Sequence, residues 1–188
     1  MKTISELSKE ALDDFYKGDY YNALKIYFFL LSQNFEETKL HGNIAMTYEM
    51  LGEIELAVAH YKKSIRLDEN NIRSINNLAR VYITVIKDLD MASKYLDYAI
   101  KISPNDAEAY NLYGNICLIK DDYEIAEKYL KKSILLDKDF FKNYYDLACV
   151  YEKAGEKEKA QEAVNKCLEL KPDFKYGKEL SEKLKDIT

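Results

Sequence analysis

Two prolines and six glycines are all that punctuate a chain of 188 residues. Strands and loop-rich folds need both residue types at their turns, so this scarcity points to an all-helical protein. Cysteine is scarce too. Cys117, Cys149 and Cys167 form an odd set with no Cys-x-x-Cys pair, which argues against a disulfide frame and for reduced thiols used as small apolar core residues. Positive charge is in deficit, with 28 Lys and Arg against 33 Asp and Glu and a net charge of −5. A sequence-independent grip on nucleic acid needs a basic stripe, so no nucleic-acid partner is expected. The first ten residues alternate charged with apolar positions. Neither a secretory core nor a membrane span is expected from them, and the expected location is the cytoplasm.

The residues of catalysis are missing in recognisable arrangements. There is no Gly-x-Gly-x-x-Gly, no phosphate-binding Walker loop and no His-Glu-x-x-His, so no cofactor, no metal and no enzymatic activity are expected. Only two histidines occur, His41 and His60, and packing is the expected role of His41. Asp68-x-Asn70 starts like a calcium loop, but Arg73 stands where that loop needs glycine and Ala79 where it needs the bidentate glutamate. The abundant carboxylates are expected on solvated faces and at helix caps.

What the chain does contain is a repeating unit. Residues 107–140 hold two amphipathic helical patterns joined by Lys120-Asp121-Asp122-Tyr123. Tyr110, Tyr113-Gly114 and Cys117 fall in the first pattern, Ala126 and Leu130 in the second. Stepping outward gives windows 4–37, 38–71, 72–106, 107–140 and 141–174, with a tail at 175–188. One small residue recurs in each first helix (Ala11, Ala45, Ala79, Gly114, Ala148) and one alanine in each second helix (Ala23, Ala57, Ala92, Ala126, Ala160). Paired helices come closest at such positions, and a larger side chain would force them apart. This pattern resembles the tetratricopeptide repeat (TPR), a 34-residue helical hairpin. The resemblance implies a right-handed superhelical solenoid of five hairpins forming a single array over 1–188, capped by a helix at 175–186. It also implies a protein-binding role.

Departures from the pattern carry their own expectations. The first repeat has Glu10 and Asp14 where the family usually has Leu and Tyr, so its first helix is expected to be a frayed N-terminal cap. Its turn keeps Gly18 for a left-handed helix end and Asp19 as the next cap, and Gly52 sits likewise in the second repeat. The third repeat is one residue longer, and its turn Ile86-Lys87-Asp88-Leu89 has no glycine, so a distorted turn is expected. Pro104 and Pro172 follow two of the second helices; the inter-repeat turns lacking proline are expected to be less fixed. In the tail, Tyr176, Leu180 and Leu184 share one face and are expected to close the last repeat over Val164 and Leu168.

In the family fold the first helices line a concave groove, and the resemblance places Lys39, Gly42, Asn43, Arg73, Asn76, Asn77, Arg80, Asn111, Asn115, Lys142 and Tyr145 in it. Asparagine can pair with the backbone of any extended peptide, and Gly42 would let a ligand backbone come close. A protein or peptide partner held in this groove is the leading expectation. The two-carboxylate clamp of some family members matches here only at Asn43 and Arg73, with Ser8, Leu12 and Asn77 in its other places. The second reading is a self-assembling adaptor. Phe28 and Phe29 occupy convex-side positions that are never both apolar in the other repeats, so a weak homodimer through them is expected unless Met1, Ile4 or the irregular first helix folds over the pair.

Overall fold

The computed structural model describes residues 2–35 and 37–186, and among these it contains eleven α-helices and no strand. Met1, Glu36 and the last two residues of the tail lie outside the described residues, so the expected cover by Met1 does too. The chain divides into two compact units, 1–81 and 82–188.

The first unit holds α1 (Ile4–Lys17), α2 (Tyr20–Ser32), α3 (Glu37–Leu51), α4 (Ile54–Leu67) and α5 (Ile72–Val81). Contrary to the frayed cap expected, α1 is a closed helix. Thr3 and Glu6 form a reciprocal capping box, in which the Glu6 N–H donates to the Thr3 hydroxyl at 3.2 Å and the Thr3 N–H donates to the Glu6 carboxylate at 2.7 Å. The residues that depart from the pattern are paired instead of packed. Glu10 meets Lys2 at 2.6 Å, and Asp14 accepts from the Asn22 amide. Ala11 and Ala23 are fully buried where α1 meets α2, with Tyr27 and Leu30 beside them. Gly18 and Gly52 end their helices at φ 84° and 79°, and Asp19 caps α2 through the Asn22 N–H.

The second unit opens with a π-helical turn, Tyr82–Ile86, followed by α6 (Leu89–Ile102), α7 (Ala107–Ile119), α8 (Tyr123–Leu136), α9 (Phe141–Lys153), α10 (Lys157–Leu170) and α11 (Lys175–Asp186). The extra residue of the third repeat is taken up in that wider turn, since a π-turn spans one more residue than an α-turn. Lys87 then takes the left-handed conformation at φ 63°, and Asp88 caps α6 by accepting from the Met91 N–H at 2.9 Å. Farther on, Gly114 is where α7 and α8 touch. A Cβ there would lie 2.6 Å from the Leu130 Cγ, and Leu130 is fully buried. In α11, Leu180 and Leu184 are buried in the cluster around Ala160 and Val164, with Leu168 beside it. Tyr176 does not join them. It is 60% exposed, and its ring leans only on Phe174.

The proline-free turns after α4 and α8 are fixed by a different device, which corrects the looser turns expected. Asp68 accepts from the Asn70 N–H at 3.0 Å and Asp137 from the Asp139 N–H at 3.1 Å. These carboxylates close the turns as prolines do after α6 and α10. The fragment that starts like a calcium loop is one of these turns.

A polar tie recurs between successive helices. Ser64 and Ser133, each the eleventh residue of its helix and fully buried, donate to the Thr38 carbonyl at 2.8 Å and the Ala107 carbonyl at 2.6 Å. Each also meets the third residue of the following helix, Ser64 with Ser74 at 2.9 Å and Ser133 with the Asn143 amide oxygen at 3.0 Å.

Candidate peptide-binding surfaces

In the first unit α1, α3 and α5 line a cavity of about 380 Å³ that brings Lys39, Gly42, Asn43, Arg73 and Asn77 together. Ser8, Leu12, Met46 and Asn71 complete much of the wall, and among the described residues no carboxylate lines it. Lys39 and Arg73 are exposed, while Asn43 and Asn77 are half-buried. Arg73 lays its guanidinium against the Met46 sulfur at 3.4 Å, so the charge sits over an apolar floor.

Three residues expected in this groove do other work. Asn76 is only 1% exposed and belongs to the interior of α5. Arg80 is clamped by Glu49 through two contacts at 2.6 and 3.2 Å and also donates to the Asn77 amide oxygen at 3.1 Å. Glu49 in turn accepts from the buried Tyr61 hydroxyl at 3.1 Å. Gly42 answers a neighbour inside the fold, since a Cβ there would stand 3.1 Å from the Ser74 hydroxyl. That contact, not a ligand backbone, accounts for the glycine.

In the second unit, Asn111 and Asn115 lie one turn apart on α7 and both donate to Oδ2 of Asp146 on α9, at 2.7 and 3.3 Å. Asn115 also donates to the Asn111 amide oxygen at 3.2 Å. Asn111 is therefore a buried brace, 6% exposed, and not an open groove residue. Burial pushes the Asp146 carboxyl up from its ordinary range, against the pull of the two amides and of Lys142. Tyr145 rests edge-on against Phe174 with centroids 5.1 Å apart, and its phenol is raised mainly by burial. Lys142 is exposed. Asp146 is not legible as a site residue in the sequence, because nothing in the spacing shows two amides converging on it.

Four other features lie away from these linings. A cavity of about 680 Å³ lies between α8 and α10 over Tyr144, Leu147 and Tyr151 of α9. Phe28 and Phe29 do not make one patch. Phe28 sets its ring edge-on to His60 at 6.0 Å, whereas Phe29 lines a cavity of about 510 Å³ with Ile4, Leu7 and Ile26. They remain 42% and 49% exposed, so Ile4 adjoins Phe29 without covering it. His41 packs as expected, yet it also meets His60 with the two Nδ1 atoms 2.9 Å apart, beside Tyr48. The three thiols are free, and burial raises each of them, Cys149 and Cys167 to about 11. None is activated as a nucleophile.

Comparison with known proteins gives the family context. Tetratricopeptide-repeat family profiles match residues 38–71, 95–128 and 141–174, together more than half of the chain. Among curated proteins, the general transcriptional corepressor ssn6 of Schizosaccharomyces pombe is 25% identical over 154 residues, 80% of this chain and 14% of that protein. The STIP1 homolog of Dictyostelium discoideum is 33% identical over 98 residues, 46% of this chain and 16% of that one. The chain thus spans less than a fifth of the length of either relative. Among solved structures, the thermophilic TPR protein TTC0263 of Thermus thermophilus superposes with a TM-score of 0.79 at 19% identity, covering 97% of this chain and 98% of that one. In the Cut9–Hcn1 hetero-tetramer the matched chain gives a TM-score of 0.80 at 17% identity, covering 97% of this chain and 36% of that one. Such proteins are typically non-enzymatic scaffolds that bind other proteins, and among the described residues no helix is long and apolar enough to cross a membrane. With its helical hairpins and its three matched repeats, the chain belongs to the tetratricopeptide-repeat family.

Proposed function

We propose that the protein is a non-enzymatic interaction module that holds an extended peptide segment of a partner protein in the α1–α3–α5 cavity of its first unit. The observation that carries this reading is the charge of the lining. The protein is acidic overall, yet this cavity gathers Lys39, Arg73 and two half-buried asparagines, with no carboxylate among its described lining residues. Cations over an apolar floor, flanked by amides, suit an extended backbone carrying acidic side chains. A chain of the Cut9–Hcn1 hetero-tetramer, an assembly of more than one kind of protein, has the same fold. The three free thiols fit a reducing compartment such as the cytoplasm.

The test is selection of a randomised peptide library on the native chain and on Lys39→Glu/Arg73→Glu. Native protein is expected to enrich acidic peptides, and the double variant to bind them at least about tenfold more weakly with unchanged helical circular dichroism. Equal binding by both proteins removes the cavity from consideration.

The second reading is self-association through the apolar cavity between α1 and α2, favoured by the half-exposed Phe29 beside the exposed Ile4. A native protein that stays monomeric in sedimentation equilibrium over a hundredfold concentration range rules it out.

A further inference from the structure

Asp146 is in an unusual position for a carboxylate. Its two ends are treated differently. Oδ2 accepts both amides that α7 offers, from Asn111 and Asn115, whereas Oδ1 receives no hydrogen bond from the described residues. An ionised carboxylate has about four acceptor positions, and here the protein fills two of them on one oxygen. The group is half-buried, which penalises its charge. Lys142, one turn earlier on α9, favours that charge from a distance but forms no ion pair with it. A brace between α7 and α9 would need only a neutral acceptor. A carboxylate with one oxygen unused retains a negative charge that a cation can neutralise.

We propose that Asp146, aligned by Asn111 and Asn115, is a subsite for a cationic group, the ammonium or guanidinium of a lysine or arginine side chain on a bound peptide. This rests on the reading of the protein as a peptide-binding module and adds a contact that lies wholly within the second unit. Guanidinium fits best, because its planar donors can reach Oδ1 without displacing the amides on Oδ2.

The experiment uses the full chain and a library of acetylated, amidated peptides randomised at every position. Native protein is expected to enrich Arg or Lys at one position by about three- to fivefold, the ratio of a partly exposed charge pair. Asp146→Asn keeps an amide oxygen for Asn111 and Asn115 and is expected to abolish that enrichment while leaving the acidic preference intact. Lys142→Ala removes the nearest competing cation and is expected to strengthen it, which a purely structural role for Asp146 would not do. Acidic enrichment without any basic position, or basic enrichment that persists in Asp146→Asn, overturns the subsite and leaves the peptide-binding reading standing. A library with no enriched residue of either sign overturns both.

Discussion

His41 and His60 are a pair that no spacing in the sequence foretells, since nineteen positions and a helical turn separate them. With the two Nδ1 atoms 2.9 Å apart, one proton can be shared between them, but a second forces two like charges together. His60 is pushed down to about 4, first by burial and then by the charge of His41. His41 is lowered by burial, then by Lys63 and Arg66, with Glu37 opposing. Both therefore hold fewer protons folded than unfolded at mildly acidic pH. Their contribution is complete above the ordinary imidazole value of about 6.5 and is lost as pH falls from there toward about 4. Because both rings are half-exposed, solvent screening reduces the effect to roughly 1–2 kcal/mol. Chemical denaturation at pH 7 and pH 4.5 is expected to show that loss, and His60→Phe to shrink it. An equal pH dependence in the variant would place the effect elsewhere. The same residue scale shows where the sequence was legible. The small residues Ala11, Ala23, Ala45, Ala57, Ala126 and Ala160 all lie at 0% exposure as their repetition requires, whereas the burial of Asn76 and Asn111 depends on neighbours distant along the chain.

Among helices, register is carried by pairs that change in concert. From α4 onward, the eleventh residue of each second helix and the third of the following helix read Ser64 with Ser74, Ala99 with Ala109, Ser133 with Asn143 and Cys167 with Gly177. Polar thus stands with polar and small apolar with small apolar. Ser133 matters because its single hydroxyl proton lies between the Ala107 carbonyl at 2.6 Å and the buried Asn143 amide oxygen at 3.0 Å. Ser133→Ala removes that donor inside the fold and is expected to cost about 1–3 kcal/mol. Ser133→Ala/Asn143→Ala reproduces the alanine pair between α6 and α7 and is expected to recover part of that loss. A double variant less stable than the single one would mean that the tie is not an isolated pair. Helix boundaries and the glycine-ended turns were readable because capping chemistry is local: Gly18, Gly52, Asp19 and the prolines needed only their neighbours. The capping box of α1, the carboxylate-closed turns at Asp68 and Asp137 and the π-turn at Tyr82–Ile86 follow the same local rules. The family pattern does not mark them, because Thr3, Glu6, Asp68 and Asp137 supply local substitutes where the residues of that pattern are absent.

At the scale of the whole molecule, the repeat architecture sets how the protein unfolds. In a TPR protein each repeat is stabilised by its own core and by its neighbours, so no single core spans the chain. The division at 81 and 82 coincides with the start of the π-turn, and the next helix begins only after the left-handed Lys87. The first unit has its own buried cluster around Ala11, Tyr27 and Leu30, and the second has one around Leu130, Val164 and Leu184. Nothing in the repeat spacing alone marks 81 as a boundary, because the windows on either side keep their alanines. The chain has no tryptophan, so a single tryptophan reports on its own surroundings. Tyr48→Trp probes the first unit and Tyr129→Trp the second. Both tyrosines are packed against other rings, Tyr48 beside His60 and Tyr129 stacked on Tyr113 at 4.9 Å. In urea the two probes are expected to give midpoints separated by more than the error of the fit, with slopes below that of a single cooperative domain of this length. Circular dichroism, which reports all eleven helices, is then expected to broaden between the two curves. Coincident midpoints and a full-length slope would show that the units melt as one, and the division at 81 would have no thermodynamic meaning.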